Sequence, residues 1–288
     1  MGNYFFKPAP PPSLSEPWRE INWGERQSAL KSVQDYKPRI KGQHLRILLH
    51  GPVGAGKSSF INSVISVLEV KMRTLAVTES TSTDCCTKKY TTYKIQKGSP
   101  DAFYPLVLND MSGVKNGTRR NRKIHVKDVT RLMKGHVKDG YTFNPECKIS
   151  KDDQHYNTSP TVNDKVHVLV SVIDASKVSL MSHEVLEVML DIREEAKELG
   201  IPHVAILTQI DQACPEIQKD IKNVYRSIKL REKMEQFSVN SGIPLNSIFP
   251  VKNYHDEIDL NGDVDSLILS ALRSIINIGE DFLNRKNT

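Results

Sequence analysis

Eight residues, Gly51-Pro52-Val53-Gly54-Ala55-Gly56-Lys57-Ser58, constrain this chain more than any other stretch. They fit glycine, four free positions, glycine, lysine and then serine or threonine at every fixed place. Ahead of them Leu45, Ile47, Leu48 and Leu49 form the short apolar run of a strand buried on both faces. Behind them Phe60, Ile61, Val64, Ile65 and Leu68 recur at helical spacing. Strand, glycine loop and helix in that order read as a phosphate-binding loop.

The residue types follow from what a polyphosphate needs. Glycines let the backbone N–H groups of Gly51, Gly54, Ala55, Gly56, Lys57, Ser58 and Ser59 close around it. The helix starting near Gly56 adds free N–H groups and its dipole. Lys57 is placed to reach the β- and γ-phosphates, and Ser58 to give a hydroxyl to Mg²⁺.

Downstream, Phe103 to Leu108 reads as a strand ending on Asn109-Asp110-Met111-Ser112-Gly113. A carboxylate at such a strand end orders water on Mg²⁺, and a glycine three residues later offers its N–H to the γ-phosphate. Asp110 therefore joins Ser58 as a metal-site residue and Gly113 joins the phosphate set. Val166 to Ile173 is the strongest strand, followed by a helix over Ser182 to Leu199 and a strand over His203 to Leu207. His167, in the strongest strand, reads as a satisfied core or edge histidine.

Thr208-Gln209-Ile210-Asp211 lies where guanine-nucleotide proteins usually carry Asn-Lys-x-Asp. A carboxylate there accepts from the N1–H and exocyclic amine of guanine, a pair that adenine does not offer. Thr208, Gln209 and Asp211 are thus expected at the base, with Lys252 and Asn253 after the strand Ile248 to Val251. Residues 215–237 read as one charged helix, and a long amphipathic helix with Val264, Ile268, Ala271, Ile275, Ile278 and Phe282 as its stripe closes the chain.

Strands alternating with helices predict an α/β fold, a mostly parallel central sheet covered by helices on both faces, with ligand groups on its carboxyl edge. The expected division is a proline-rich tail over 1–20, a helical lead-in over 21–41, and the nucleotide-binding domain over 42–284. Trp18, Ile21 and Trp23 are expected to anchor the lead-in. Within that domain 114–163 reads as an irregular basic insertion, with Arg119, Arg120, Arg122 and Lys123 on a loop face and a short helix over Val126 to Val137.

The 288-residue chain carries a formal net charge of +6 spread thinly over many lysines, without the interleaved aromatics of a nucleic-acid surface, so no nucleic acid is expected. No apolar run approaches the ~20 residues of a membrane span. Cys85, Cys86, Cys147 and Cys214 show no C-x-x-C spacing, which argues for free thiols in a reducing, cytoplasmic setting.

Residues 45–68, the stretch Lys88 to Pro100, Lys134-Gly135-His136-Val137-Lys138-Asp139-Gly140-Tyr141 and Pro250-Val251-Lys252-Asn253-Tyr254-His255 resemble the interferon-induced protein 44-like family over about residues 17–284. The resemblance implies a Ras-like P-loop G domain that binds GTP/GDP with Mg²⁺, a cytoplasmic location, and a part in interferon-induced antiviral defence through unknown host or viral proteins. It also implies a switch threonine as a further Mg²⁺ ligand: Thr87, which immediately precedes the strand at Tyr90, or else Thr83. Ras-like switches place a water-orienting Gln directly after the D-x-x-G glycine, and Val114 stands there. The expectation is either a slow GTPase, helped by a nucleotide-dependent homodimer, or a GTP-bound scaffold without turnover.

Overall fold

The computed structural model describes residues 13–76, 89–111, 113–114 and 117–286. Strands β1 (Leu45–His50), β2 (Thr91–Lys97), β3 (Ser99–Asp110), β4 (Val168–Asp174), β5 (His203–Thr208) and β6 (Ile248–Pro250) form one sheet in the order β2-β3-β1-β4-β5-β6. The sheet is parallel except for β2, which runs antiparallel to β3. Helices are α1 (Arg26–Gln34), α2 (Lys57–Glu69), α3 (Arg119–Met133), α4 (His183–Glu198), α5 (Ile210–Ala213), α6 (Pro215–Lys219), α7 (Ile228–Ser241) and α8 (Gly262–Lys286).

Period-two alternation sends neighbouring side chains to opposite faces, and both faces are covered. Leu45, Ile47 and Leu49 of β1 and Val168, Val170 and Val172 of β4 pack with Phe60 and Val64 of α2 and Ile268 and Ile275 of α8. On the other face Leu48, Leu169 and Ile173 meet Val129 of α3, Ile192 of α4 and Met234 of α7. Each such fully buried large side chain contributes roughly 1.5–3 kcal/mol of transfer free energy. The stretch ahead of α1 is fastened to the second face through Trp18, Ile21 and Trp23, whereas Leu30 and Val33 of α1 pack on the first. Trp18 meets Tyr225 edge to face at 5.1 Å, and Arg19 donates to the Ile248 and Leu245 carbonyls at 2.8 and 2.7 Å.

Two expectations need correction. Residues 215–237 are not one helix: Asp220 is extended and its carboxylate accepts from Lys222 N–H at 3.0 Å, ending α6 before α7 starts under a Ser227 cap. Short polar side chains compete locally with helix hydrogen bonds, and here they win. The basic cluster Arg119–Lys123 is not a loop face but the first turns of α3, capped by Thr118, whose hydroxyl accepts from Asn121 N–H at 3.2 Å. That helix starts well before the apolar pattern at Val126, because cations fill its first turns where no apolar stripe shows.

The segment after α3 has few ladder bonds yet is well tied. Buried Asp128 accepts from Ile149 N–H at 2.9 Å and Tyr141 O–H at 2.8 Å, while burial pushes its carboxyl above the usual range. Tyr90 N–H donates to the Tyr141 carbonyl at 2.7 Å, joining this segment to the start of β2. His167 is satisfied where it stands: Nδ1 accepts from Arg46 N–H and Nε2 faces the Val162 carbonyl, both at 2.9 Å.

Candidate functional site

The loop between β1 and α2 is held in shape by its neighbours. Gly51 has φ 145°, and a Cβ there would fall 2.1 Å from the Val172 carbonyl oxygen, so only glycine passes β4 at this point. Gly113 is similarly confined, with a Cβ position 2.8 Å from the Val53 backbone. Val114 N–H donates to the Gly51 carbonyl at 2.9 Å, so the D-x-x-G end of β3 lies directly against the phosphate loop. Gly56, in the left-handed region, precedes the first turn of α2, whose leading N–H groups have no partners within the helix.

Lys57 is buried and donates to the Pro52 carbonyl at 3.0 Å, curling over the loop that a polyphosphate would occupy. Ser58 Oγ donates to Asp110 Oδ2 at 2.5 Å, and Asp110 Oδ1 accepts from Met111 N–H at 2.9 Å. A hydroxyl and a carboxylate converging at that distance are hard oxygen donors, the pair that fits a Mg²⁺ keeping its remaining positions for water and phosphate. Among the described residues no group of three or more His, Cys, Asp or Glu gathers as a metal site. Thr87 and Thr83 lie outside the described residues, as do Cys85 and Cys86.

One cavity of about 530 Å³ runs from this loop to the ends of β5 and β6. Gly54, Gly56, Lys57, Ser58 and Ser59 line one end, and Gln209, Asp211, Lys252 and Asn253 the other. Its size is that of a small-molecule site. Gln209, at φ 53°, donates from Nε2 to the Gly54 carbonyl at 3.2 Å. Asn253 Nδ2 donates to the Gly56 carbonyl at 3.1 Å, and Tyr254 N–H donates to Ser63 Oγ at 3.0 Å. Lys252 Nζ meets Glu257 at 2.7 Å. Burial alone would raise the Glu257 carboxyl, but His255 N–H and the Lys252 ammonium hold it down at about 2.

Thr208 does not face the base end. Its side chain is fully buried, and its hydroxyl lies 2.7 Å from the Ala55 carbonyl and 3.2 Å from that of Ile173. At the last position of a central strand it points at the neighbouring phosphate loop and braces it. Ala55 also turns its side chain into the core, leaving only its backbone to the loop.

Four structural residues carried no sequence signal. Asn109 Oδ1 accepts from Arg46 Nη1 at 2.7 Å and Tyr90 O–H at 2.8 Å, while its Nδ2 donates to the Ile47 carbonyl at 3.0 Å. This fixes β3 to β1 one residue before Asp110. The other three lie on the strands behind the loop: Ser171 Oγ sits 2.8 Å from both His50 Nε2 and His203 Nε2, with Ser171 and His50 fully buried.

With that geometry in place, comparison with known proteins decides the family. The chain is 34% identical to human interferon-induced protein 44 over 259 residues, 90% of this chain and 57% of that protein. The mouse protein of the same name is 34% identical over 255 residues, 88% of this chain and 59% of its length, and human interferon-induced protein 44-like is 31% identical over 259 residues, again 90% and 57%. The chain belongs to the interferon-induced protein 44 family. It spans a little under three fifths of the length of these relatives. No protein-family model matches. Among solved structures, a dimerization-deficient mutant of Toc33 from Arabidopsis thaliana superposes with a TM-score of 0.51 at 14% identity, covering 89% of this chain and 92% of that one. The fold is a P-loop G domain.

In this member of the interferon-induced protein 44 family, Thr208 and Gln209 hold the phosphate loop. Thr208 supplies the hydroxyl that ties the base-end strand to the phosphate loop, and Gln209 ties its own turn to Gly54. Asp211 remains at the cavity wall. No described helix is long and apolar enough to cross a membrane.

Proposed function

We propose that this chain binds GTP and GDP with Mg²⁺ and acts in the interferon-induced response of its family. The observation that carries the reading is one continuous cavity lined by Lys57 and Ser58 at one end and Asp211 at the other. The phosphate loop and helix N-terminus hold the polyphosphate, Ser58 and Asp110 hold the ion, and Asp211 accepts from the guanine edge. Asn253 and Gln209 keep the base-end loops seated on the phosphate loop. Mg²⁺ bound there supplies charge neutralisation for the β- and γ-oxygens.

Turnover is slow in this reading. Val114, directly after Gly113, is buried and its N–H is committed to the Gly51 carbonyl, so nothing at that position orients water. A GTP-bound scaffold without hydrolysis is the second reading, favoured by the same valine. A nucleotide-dependent homodimer is a means of completing the site, and the Toc33 chain of similar fold is itself a mutant deficient in dimerization. Antiviral action and a cytoplasmic setting belong to the proposal.

Titration with GTP, GDP and ATP tests it. Hydrogen bonds to a charged group contribute ~1.5–3 kcal/mol, so GTP should bind at least about tenfold more tightly than ATP. Asp211→Asn should remove that preference. ATP binding as tightly as GTP would overturn the base assignment. Single-turnover phosphate release at rising protein concentration then separates slow hydrolysis from the scaffold.

A further inference from the structure

Away from the nucleotide cavity, an open groove of about 770 Å³ lies between α3 and the loop carrying Glu146 to Lys148. Arg119, Arg120, Lys123, Lys127 and Lys148 line it, against one carboxylate, Glu146. Five cations less one anion leave +4 here, in a chain whose total is +6. Among the described residues none of the five cations has a carboxylate within ion-pairing distance, whereas Arg122, on the other side of α3, is paired with Glu187 at 3.0 Å. The fold adds Lys127 and Lys148 to the Arg119–Lys123 cluster visible in the sequence, so the charge is concentrated here rather than spread.

The position of these cations is locally unfavourable. Helix N-termini favour anions, yet the first turn of α3 holds Arg119 and Arg120 and no acidic residue. Departures from a local rule are expected at functional or strained sites. An anion in this groove meets the cations and lies beside the exposed start of the helix.

We propose that the groove docks an extended acidic segment of a partner protein. Along α3 the rise per residue sets Arg119, Lys123 and Lys127 about 6 Å apart on one row. An extended chain advances ~6.6–6.8 Å per two residues, so alternate Asp or Glu side chains keep step with that row. The lining contains no aromatic ring, which removes the stacking platform of a single-stranded nucleic-acid site. Ile124 is the one large aliphatic side chain in the lining, which lacks the apolar face that lies on a bilayer.

The test is fluorescence anisotropy of a labelled peptide alternating Glu and Ser, titrated with the full chain. Saturable binding is expected, weakening by at least about tenfold between about 50 mM and 200 mM salt as charge is screened. The double variant Arg120→Glu with Lys123→Glu should lose at least tenfold in peptide affinity while its GTP affinity stays within twofold. Because acidic residues suit that helix end, the same variant should melt at a higher temperature, a change that a merely structural role for these cations would reverse. Absence of saturable peptide binding, unchanged binding in the variant, or tighter binding of poly-uridine RNA or phosphatidylserine vesicles would each overturn the proposal.

Discussion

At the phosphate end of the cavity the backbone does the holding: Gly51 slides past the Val172 carbonyl, and Thr208, Gln209 and Asn253 all donate to carbonyls of the loop. At the base end the wall is made of side chains, Asp211, Lys252 and Asn253, with Glu257 restraining Lys252. A backbone cradle demands particular residues, since one added methyl collides with a strand. A side-chain wall can reach the same shape by more than one set of groups, so Gln209 can line it where Lys is usual. The contrast predicts that equal-sized changes at the two ends have unequal effects.

The largest effect belongs to Gly51→Ala. Its Cβ would overlap the Val172 carbonyl in a conformation that alanine rarely adopts. Overpacking and backbone strain together are expected to cost ~3–5 kcal/mol, read as a lowered denaturation midpoint. A base-end change, Gln209→Ala, removes one exposed hydrogen bond and should cost about 1 kcal/mol or less. Equal destabilisation by the two would erase the distinction.

Asn253→Ala is intermediate and probes the link between the ends. It removes the 3.1 Å bond to the Gly56 carbonyl and leaves Lys252 and Glu257 untouched. Nucleotide affinity should fall by ~0.5–1.5 kcal/mol, about two- to tenfold, with GTP and ATP weakened alike because the loss is in seating rather than base reading. A selective loss of GTP would place Asn253 on the guanine instead.

The same distinction explains what is legible in the sequence. Gly51, Lys57, Ser58 and Asp110 announce themselves because spacing and strand ends fix their chemistry, and the alternation of strands with helices implies the sheet. Asn109 and the seating role of Asn253 do not, since an asparagine after an apolar strand looks the same whether it bridges two segments or faces water. Thr208 misleads at its strand end because a motif position does not say which way a hydroxyl turns. The start of α3 is silent because its first turns are cationic and carry no apolar period.

The last prediction is a pH response, graded rather than tied to one substitution, and it arises beneath the phosphate end. Ser171 has a single hydroxyl proton and sits 2.8 Å from two imidazoles, so it donates to one and accepts from the other, with both rings neutral. Among the described residues the buried Nδ1 atoms of His50 and His203 have no partners, so a charged ring would bury an unpaired Nδ1–H. Burial, with Arg193 nearby, holds His203 at about 3, and burial with Lys57 nearby holds His125 at about 4. Burial and then the His203, Lys57 and His125 charges hold His50 well below its usual 6.5. Folded-state values below the unfolded value mean that the unfolded chain binds more protons below about pH 6.5. The stabilisation is therefore complete above that pH and is lost as pH falls toward 4 and 3, by at most ~1.4 kcal/mol per unit for each histidine. Glu257, held at about 2 against a usual 4.5, keeps its pair with Lys252 throughout most of that range. Between pH 6.5 and 5, hydrogen-exchange protection factors, corrected for the slower intrinsic exchange at lower pH, should thus fall in β1 and the phosphate loop before they do in residues 252–257. His203→Gln should flatten the pH dependence of the denaturation midpoint. An unchanged slope in that variant would assign the acid sensitivity to carboxylates and remove the asymmetry between the two ends.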